Sequence, residues 1–273
     1  VDGLPSLTGL DADAQLAAAR DGLALVVGGL EPSDFTSAAD VREGLEGAGF
    51  VISLEQRLSE VTERADVVFP IALIEERPGH FMNWEHRRGT VNTVIKQPNQ
   101  PMTDLRVLAA LADALGRPLG IRTARQALTE LDELGAWEGA RQPLARSRGV
   151  VAPDEGEVLL ATWRELIDGS RGNDNETALQ ATAKPVVART SPEVADAFGL
   201  TDAVTVAGGG GWVTLPLEIV AGMAAGTVWV PAHAPGTPLS ELGLVHGDGV
   251  TVSSPAAGLD RGAGFDRVEG GVA

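Results

Sequence analysis

The sequence has no cysteine and no tyrosine, and it contains only two lysines. Without cysteine, its 273 residues cannot form a disulfide, a cysteine-ligated iron–sulfur cluster or a thiolate zinc site. The four histidines are scattered and match no metal-binding spacing: His80, His86, His233 and His246. We therefore expect no metal site here, and we identify no catalytic residue and no cofactor-binding residue.

Long apolar runs and an overall positive charge are also lacking. The longest apolar segments, such as residues 23–27, have the length of a strand, not the roughly 20 residues that cross a bilayer. A net charge of −17 argues against a general phosphate-binding surface and against affinity for anionic lipid. No signal-peptide pattern is visible. Because the sequence starts at Val1 and its first methionine is Met82, we expect a fragment or processed piece of a longer protein.

The first part of the sequence alternates apolar runs with helical segments. After an Ala-rich helix at residues 11–20, which Asp11 or Asp13 can cap, the predicted order is strand 23–27, helix 37–49, strand 50–54, crossover 58–64 and strand 67–69. This alternation is typical of an α/β protein with an open, doubly wound parallel sheet. The pair Gly28-Gly29 lacks the G-x-G-x-x-G spacing of a dinucleotide site.

A charged segment with glycine and aromatic residues follows the third predicted strand. Pro70 stops the apolar run, and residues 75–88 are typical of a hairpin. We expect Phe81 and Trp84 to pack this hairpin against the sheet, with replacement of a buried Trp84 by alanine costing about 3–5 kcal/mol. Three further helices are predicted, at residues 103–115, 124–134 and 155–167, followed by a Gly- and Asn-containing linker at residues 168–176.

From Lys184 onward the pattern changes to short strands between glycine turns. The predicted strands are residues 186–190, 203–206, 212–219, 226–231 and 249–253, with a short helix after Ser191. Such spacing predicts a small closed β-barrel. We expect Trp212 and Trp229 in its core. His233 is expected in a half-exposed turn, although it could instead donate to a phosphate or face a partner subunit.

Residues 59–105 carry an ordered motif. ADVVFP at residues 65–70 is followed by Glu76, Gly79, Phe81, Asn83, Glu85 and Arg87. This order resembles the ADVVLP…E-x-x-G-T-F-x-N-x-E-G-R signature of the molybdopterin oxidoreductase superfamily. Within it, the sequence is most similar to the large iron–sulfur subunit of bacterial NADH:quinone oxidoreductase, respiratory complex I. His80 stands where the family usually has Thr, and His86 stands where it usually has Gly. A glycine at position 86 would permit a positive φ angle, which histidine tolerates less well.

The second half resembles the C-terminal dinucleotide-binding domain of the same superfamily, a double-psi barrel. The likeness lies in G-x-V-x-L-P at residues 211–216 and G-x-V-W-x-P at residues 226–231. The resemblance implies a molybdopterin-oxidoreductase-like α/β domain at residues 1–170, incomplete at its N-terminus. A linker at residues 171–183 and a double-psi-like barrel at residues 184–273 would follow.

By resemblance, the full protein passes electrons from NADH through iron–sulfur clusters to a quinone and couples this transfer to proton translocation. The clusters would lie upstream, and these residues would be a C-terminal scaffold without a redox centre. The scaffold would pack on other peripheral-arm subunits on the cytoplasmic side of the bacterial plasma membrane, without nucleic acid and without direct membrane insertion.

Two other interpretations remain. One is the C-terminal part of a molybdopterin-dependent oxidoreductase, of the formate dehydrogenase or nitrate reductase type. The shortage of basic residues after Lys184 counts against a bound pterin dinucleotide, which needs several cations or backbone amides. The other is an independent binding module with no redox role.

Overall fold

The chain folds as two compact units. The computed structural model describes residues 9–96, 98, 101–135, 152–209, 211–235, 237–255 and 263–265. The first unit comprises Val1–Leu30 and Glu43–Ala145, and the second comprises Glu31–Arg42 and Arg146–Ala273. The polypeptide therefore enters the second unit at residue 31, returns to the first at residue 43, and is again in the second unit from residue 152 of the described chain.

A small parallel sheet lies in the first unit. The elements in chain order are α1 (Ala12–Arg20), β1 (Ala24–Gly28), α2 (Ala38–Gly47), β2 (Phe50–Glu55), α3 (Glu60–Arg64) and β3 (Val67–Pro70). The strand order is β1-β2-β3, with both pairs parallel. Val26 lies opposite Ile52, and Ile52 lies opposite Val67. The predicted strand–helix alternation and parallel pairing are confirmed.

Side-chain caps explain where the helices of this unit begin. The Asp11 carboxylate accepts a hydrogen bond from Ala14 N at 2.9 Å, which confirms the predicted cap of α1. Ser59 and Thr62 form a capping box at α3. These bonds pair N–H groups that the first helical turn leaves without a partner.

A two-stranded hairpin and two long helices follow the sheet. The hairpin strands are β4 (Gly79–Met82) and β5 (Arg88–Val91), and the helices are α4 (Asp104–Ala114) and α5 (Ala124–Leu134). Val107 of α4 forms a buried cluster with Leu54 and Ile71. The structure confirms the hairpin and both helices predicted from the sequence.

The second unit is dominated by a closed barrel. Its elements are β6 (Val158–Ala161), α6 (Thr177–Gln180), β7 (Ala188–Thr190), α7 (Pro192–Phe198), β8 (Ala203–Gly208), β9 (Gly211–Ile219), β10 (Thr227–Trp229), β11 (His233–Ala234), β12 (Thr237–Pro238), β13 (Gly249–Ser253) and β14 (Ala263–Phe265).

The barrel closes because β9 is long enough to pair with two barrel strands. The order is β9-β7-β10-β6-β13-β8, and β8 pairs with residues 211–216 of β9 while β7 pairs with residues 217–219. β14 adds to β9 outside the ring. Val204, Val206 and Val228 are completely buried inside it. The predicted small barrel is therefore confirmed.

The helix predicted at residues 155–167 is wrong. Val158–Ala161 is instead the barrel strand β6, which pairs in parallel with β10 and antiparallel with β13. Leu and Ala are good helix formers, but helix propensity is a small energy per residue, and pairing on both edges of this short apolar run outweighs it.

None of the helices in the described part of the chain combines the length and the apolar character needed to cross a membrane.

Candidate functional site

The loop of the signature hairpin is held by Asn83. Its Oδ1 atom accepts hydrogen bonds from Glu85 N at 3.0 Å and Arg87 N at 2.9 Å, while its backbone pairs with Arg87 O and His86 N. His86 has φ of 60°, in the left-handed region. The histidine therefore adopts the backbone conformation that a glycine would favour at this position.

The expected packing of Phe81 and Trp84 against the sheet is wrong. Trp84 is 90% exposed and Phe81 is 55% exposed. Phe81 lies opposite Gly89 in the hairpin, and a Cβ atom at Gly89 would overlap its ring. The Phe81 ring therefore packs over Gly89 on the neighbouring strand, in the space that a glycine leaves open.

Ion pairs and backbone contacts fix the base of the hairpin. Arg88 Nη1 lies 2.5 Å from Asp132 Oδ1 on α5, and Arg77 pairs with Asp104 at the start of α4. Glu76 is buried, and its carboxylate accepts a hydrogen bond from Leu73 N at 3.0 Å. The matched Glu of the motif therefore has a structural role in closing a turn.

A cleft of about 640 Å³ opens between this hairpin and the first turns of α4 and α5. Its lining combines apolar side chains with three arginines and two carboxylates: Ile74, Glu76, Arg77, Phe81, Asp104, Leu105, Arg106 and Arg122 are among them. Sequence reasoning did not find this cleft, because its walls come from segments separated by turns whose geometry no local pattern specifies.

In the second unit, the segment predicted as a linker contains a buried, hydrogen-bonded aspartate. Asp168 Oδ1 accepts hydrogen bonds from Ser170 N at 3.0 Å, from the Ser170 hydroxyl and from Asn173 Nδ2 at 3.2 Å. Its Oδ2 accepts one from Arg164 Nε at 3.2 Å. Burial raises the pKa of Asp168, but these hydrogen bonds outweigh it and hold the pKa below its ordinary value. The Gly and Asn content of residues 168–176 is the sequence feature that predicts a loop here.

Several basic side chains of the barrel unit lie close to carboxylates of the same unit. His233 Nε2 lies 3.9 Å and Arg164 Nη1 lies 3.6 Å from Asp34 Oδ1. Arg171 Nη1 lies 2.9 Å from Glu31 Oε1. Both Arg42 terminal nitrogens lie 2.7 Å from the Glu241 carboxylate. This surface of the barrel unit is therefore largely charge-compensated.

The two tryptophans predicted in the barrel core, Trp212 and Trp229, differ in burial. Trp229 is 2% exposed, with its ring centroid 5.1 Å from that of Trp163 and the Arg189 guanidinium 4.6 Å from its own centroid. Its core position is confirmed. Trp212 is only half-buried, because it alternates with the inward-facing Gly211 and Val213 on β9.

Three observations bear on the redox groups of the resembled proteins. The chain has no cysteine to ligate an iron–sulfur cluster. Within the described residues, no group of three or more His, Cys, Asp or Glu side chains is placed to hold a metal ion. Three arginines of the barrel unit, Arg42, Arg164 and Arg171, lie against carboxylates of that unit.

The sequence is similar to curated subunits of a respiratory enzyme. It is 44% identical over 244 residues, 86% of this chain, to the G subunit of NADH-quinone oxidoreductase from Mycobacterium bovis and to that from Mycobacterium tuberculosis. It is 40% identical over 242 residues to the G subunit of the Streptomyces coelicolor enzyme. The chain spans about 30% of the length of these relatives. No protein-family model matches the sequence.

A solved structure shares the fold. Acetylene hydratase from Pelobacter acetylenicus matches with a TM-score of 0.57 over 89% of this chain and 46% of that protein, at 15% sequence identity. At this identity the likeness concerns the arrangement of helices and strands alone.

Proposed function

We propose that this chain is a C-terminal scaffold region of a G subunit of NADH-quinone oxidoreductase and carries no redox centre itself. The basis is that it is a homologue of one part of that subunit. The observation that carries the proposal is 44% identity over 86% of the chain. The full-length protein would support electron transfer from NADH to quinone, coupled to proton translocation. Iron–sulfur clusters would lie in upstream residues.

The chemistry of the chain supports a structural role. It has no cysteine, and three arginines of the barrel unit, Arg42, Arg164 and Arg171, pair with carboxylates of that unit. Such pairs stabilise the position of residues 31–42 within the unit and leave little positive charge for a polyanionic cofactor.

We place the region on the cytoplasmic side of a bacterial plasma membrane, attached through other peripheral-arm subunits. The names of the relatives as subunits support partners of this kind. The chain has a net charge of −17, which makes direct adsorption to anionic lipid unfavourable. We therefore propose that it is attached through protein contacts.

The assembly test uses the full-length protein in its native host. An affinity tag on it should recover NADH:quinone oxidoreductase activity and the remaining peripheral subunits from detergent-solubilised membranes. Recovery of the tagged protein alone, with the activity left in the unbound fraction, would contradict the proposal.

The redox test measures elements and spectra. The 273-residue chain should show no iron, molybdenum or tungsten and no electron-spin resonance signal, whereas the full-length protein should contain iron but neither molybdenum nor tungsten. Stoichiometric molybdenum or tungsten in the full-length protein would instead assign the chain to a molybdopterin-dependent enzyme.

A further inference from the structure

The hairpin cleft of the first unit has the size of a small-molecule site. Its volume of about 640 Å³ falls inside the range of roughly 300–1,000 Å³ that is usual for such sites. The segments that line it belong to one unit: the β4–β5 hairpin, the first turn of α4 and the first turn of α5.

The apolar part of the lining is left open to solvent. Ile74 is 56% exposed and Phe81 is 55% exposed, and Pro78, Val91 and Leu105 continue the same wall. An apolar ligand body that covered Ile74 and Phe81 would remove this surface from water, which is favourable.

The charged part of the lining favours an anion. Three arginines, Arg77, Arg106 and Arg122, and the carboxylates of Glu76 and Asp104 line the cleft. Arg77 pairs with Asp104 and Arg122 with Asp113, whereas Arg106 forms no ion pair within the described part of the chain.

The backbone adds charge of the same sign. Thr103 and Thr123 cap α4 and α5 at the cleft, and each helix has 11 residues. The unpaired N–H groups of a first helical turn carry partial positive charge. The guanidinium groups and the apolar wall lie in one cleft, so a ligand can use both.

We infer that this cleft binds a small amphiphilic anion. Its apolar body would lie on Phe81, Ile74 and Leu105, and its carboxylate, sulfonate or phosphate would lie at Arg106. The Arg106 guanidinium would repel a cationic ligand, and a purely polar anion would leave the apolar wall exposed. The inference does not depend on assembly with other subunits.

The test compares two fluorescent probes on the 273-residue chain. The anion 8-anilino-1-naphthalenesulfonate and the neutral N-phenyl-1-naphthylamine share an apolar body and differ in the sulfonate. The variant Arg106→Gln should raise the Kd of the anionic probe about fivefold or more and leave that of the neutral probe within about twofold. Phe81→Ala should weaken both probes.

Arg117→Gln is the matched control, because Arg117 is exposed and does not line the cleft. It should leave both dissociation constants within about twofold, and circular dichroism should show each variant folded. Equal weakening of both probes by the arginine variant, equal weakening of the anionic probe by Arg117→Gln, or no change in any variant would overturn the inference.

Discussion

Two tryptophans of this chain differ in energetic importance because one is buried and one is not. Trp229 is 2% exposed in the barrel, whereas Trp84 is 90% exposed in the hairpin loop. Replacing Trp229 with alanine should lower the free energy of unfolding by about 3–5 kcal/mol, since a large cavity remains. Trp84→Ala should change it by less than about 0.5 kcal/mol. Urea denaturation followed by far-UV circular dichroism measures both, and a loss above about 2 kcal/mol for Trp84→Ala would place that ring against protein.

His86 is a second residue where one substitution tests the structure. At φ of 60° its side chain makes the backbone conformation unfavourable by about 1–2 kcal/mol, and glycine removes that strain but gains entropy in the unfolded state. His86→Gly should therefore raise the free energy of unfolding by about 0.5 kcal/mol. His80→Gly, in strand β4, is the control and should lower it, because a strand glycine has no strain to relieve. Destabilisation by both substitutions would mean that position 86 is not left-handed.

At the scale of elements, the loop around Asp168 predicts a response to pH. Its pKa lies below the ordinary value because hydrogen bonds from Ser170, Asn173 and Arg164 outweigh burial. A depressed folded-state pKa stabilises the protein above the unfolded-state pKa of about 4, and this contribution is lost as pH falls through the folded-state value. Asp168→Asn should therefore be less stable than wild type at pH 7, and the difference should shrink as the pH falls below about 4.

The matched control for this loop is Asp196→Asn, which changes an exposed aspartate on α7. Its stability should follow that of the wild type from pH 7 down to pH 2 in urea titrations. If the difference between wild type and Asp168→Asn were constant with pH, the loss would come from packing and not from the charge of Asp168.

Elements defined by local chemistry were predictable from the sequence, and elements defined by distant partners were less so. α5 begins after Thr123 with a capping box and has the predicted bounds, because the cap and the apolar spacing lie within one segment. The local pattern of residues 155–167 predicts a helix where the structure has β6. The strand forms because β6 pairs with β10 and β13, which lie far along the chain.

The candidate site divides in the same way. The hairpin was predictable from the sequence, and so was the similarity to subunits of NADH-quinone oxidoreductase. The exposure of Trp84, the hydrogen bonds around Asp168 and the cleft beside Arg106 did not, because each depends on how separate segments meet.

At the scale of the whole molecule, the two units differ in how their strands end. Within the described residues the first sheet has three strands, so β1 and β3 are edge strands, and Val26 and Val68 on them are 53% and 40% exposed. The barrel strands form a closed ring, and Leu160, Val206 and Val228 are at most 1% exposed. Closure removes edges that water can reach, and it also couples every strand to two neighbours.

This difference predicts separate opening of the two units. The backbone amide of Leu160, which donates to Asp248 O at 2.8 Å, and its neighbours in β6 and β10 should exchange with deuterium about tenfold or more slowly than amides of β1 and β2. Hydrogen exchange followed by mass spectrometry of peptic fragments measures both sets in one experiment. Leu160→Ala should speed exchange throughout the barrel strands while leaving the β1–β3 peptides unchanged, because the substitution weakens only the cooperative unit that contains it. Equal acceleration in all strands would show instead that the two units unfold as one.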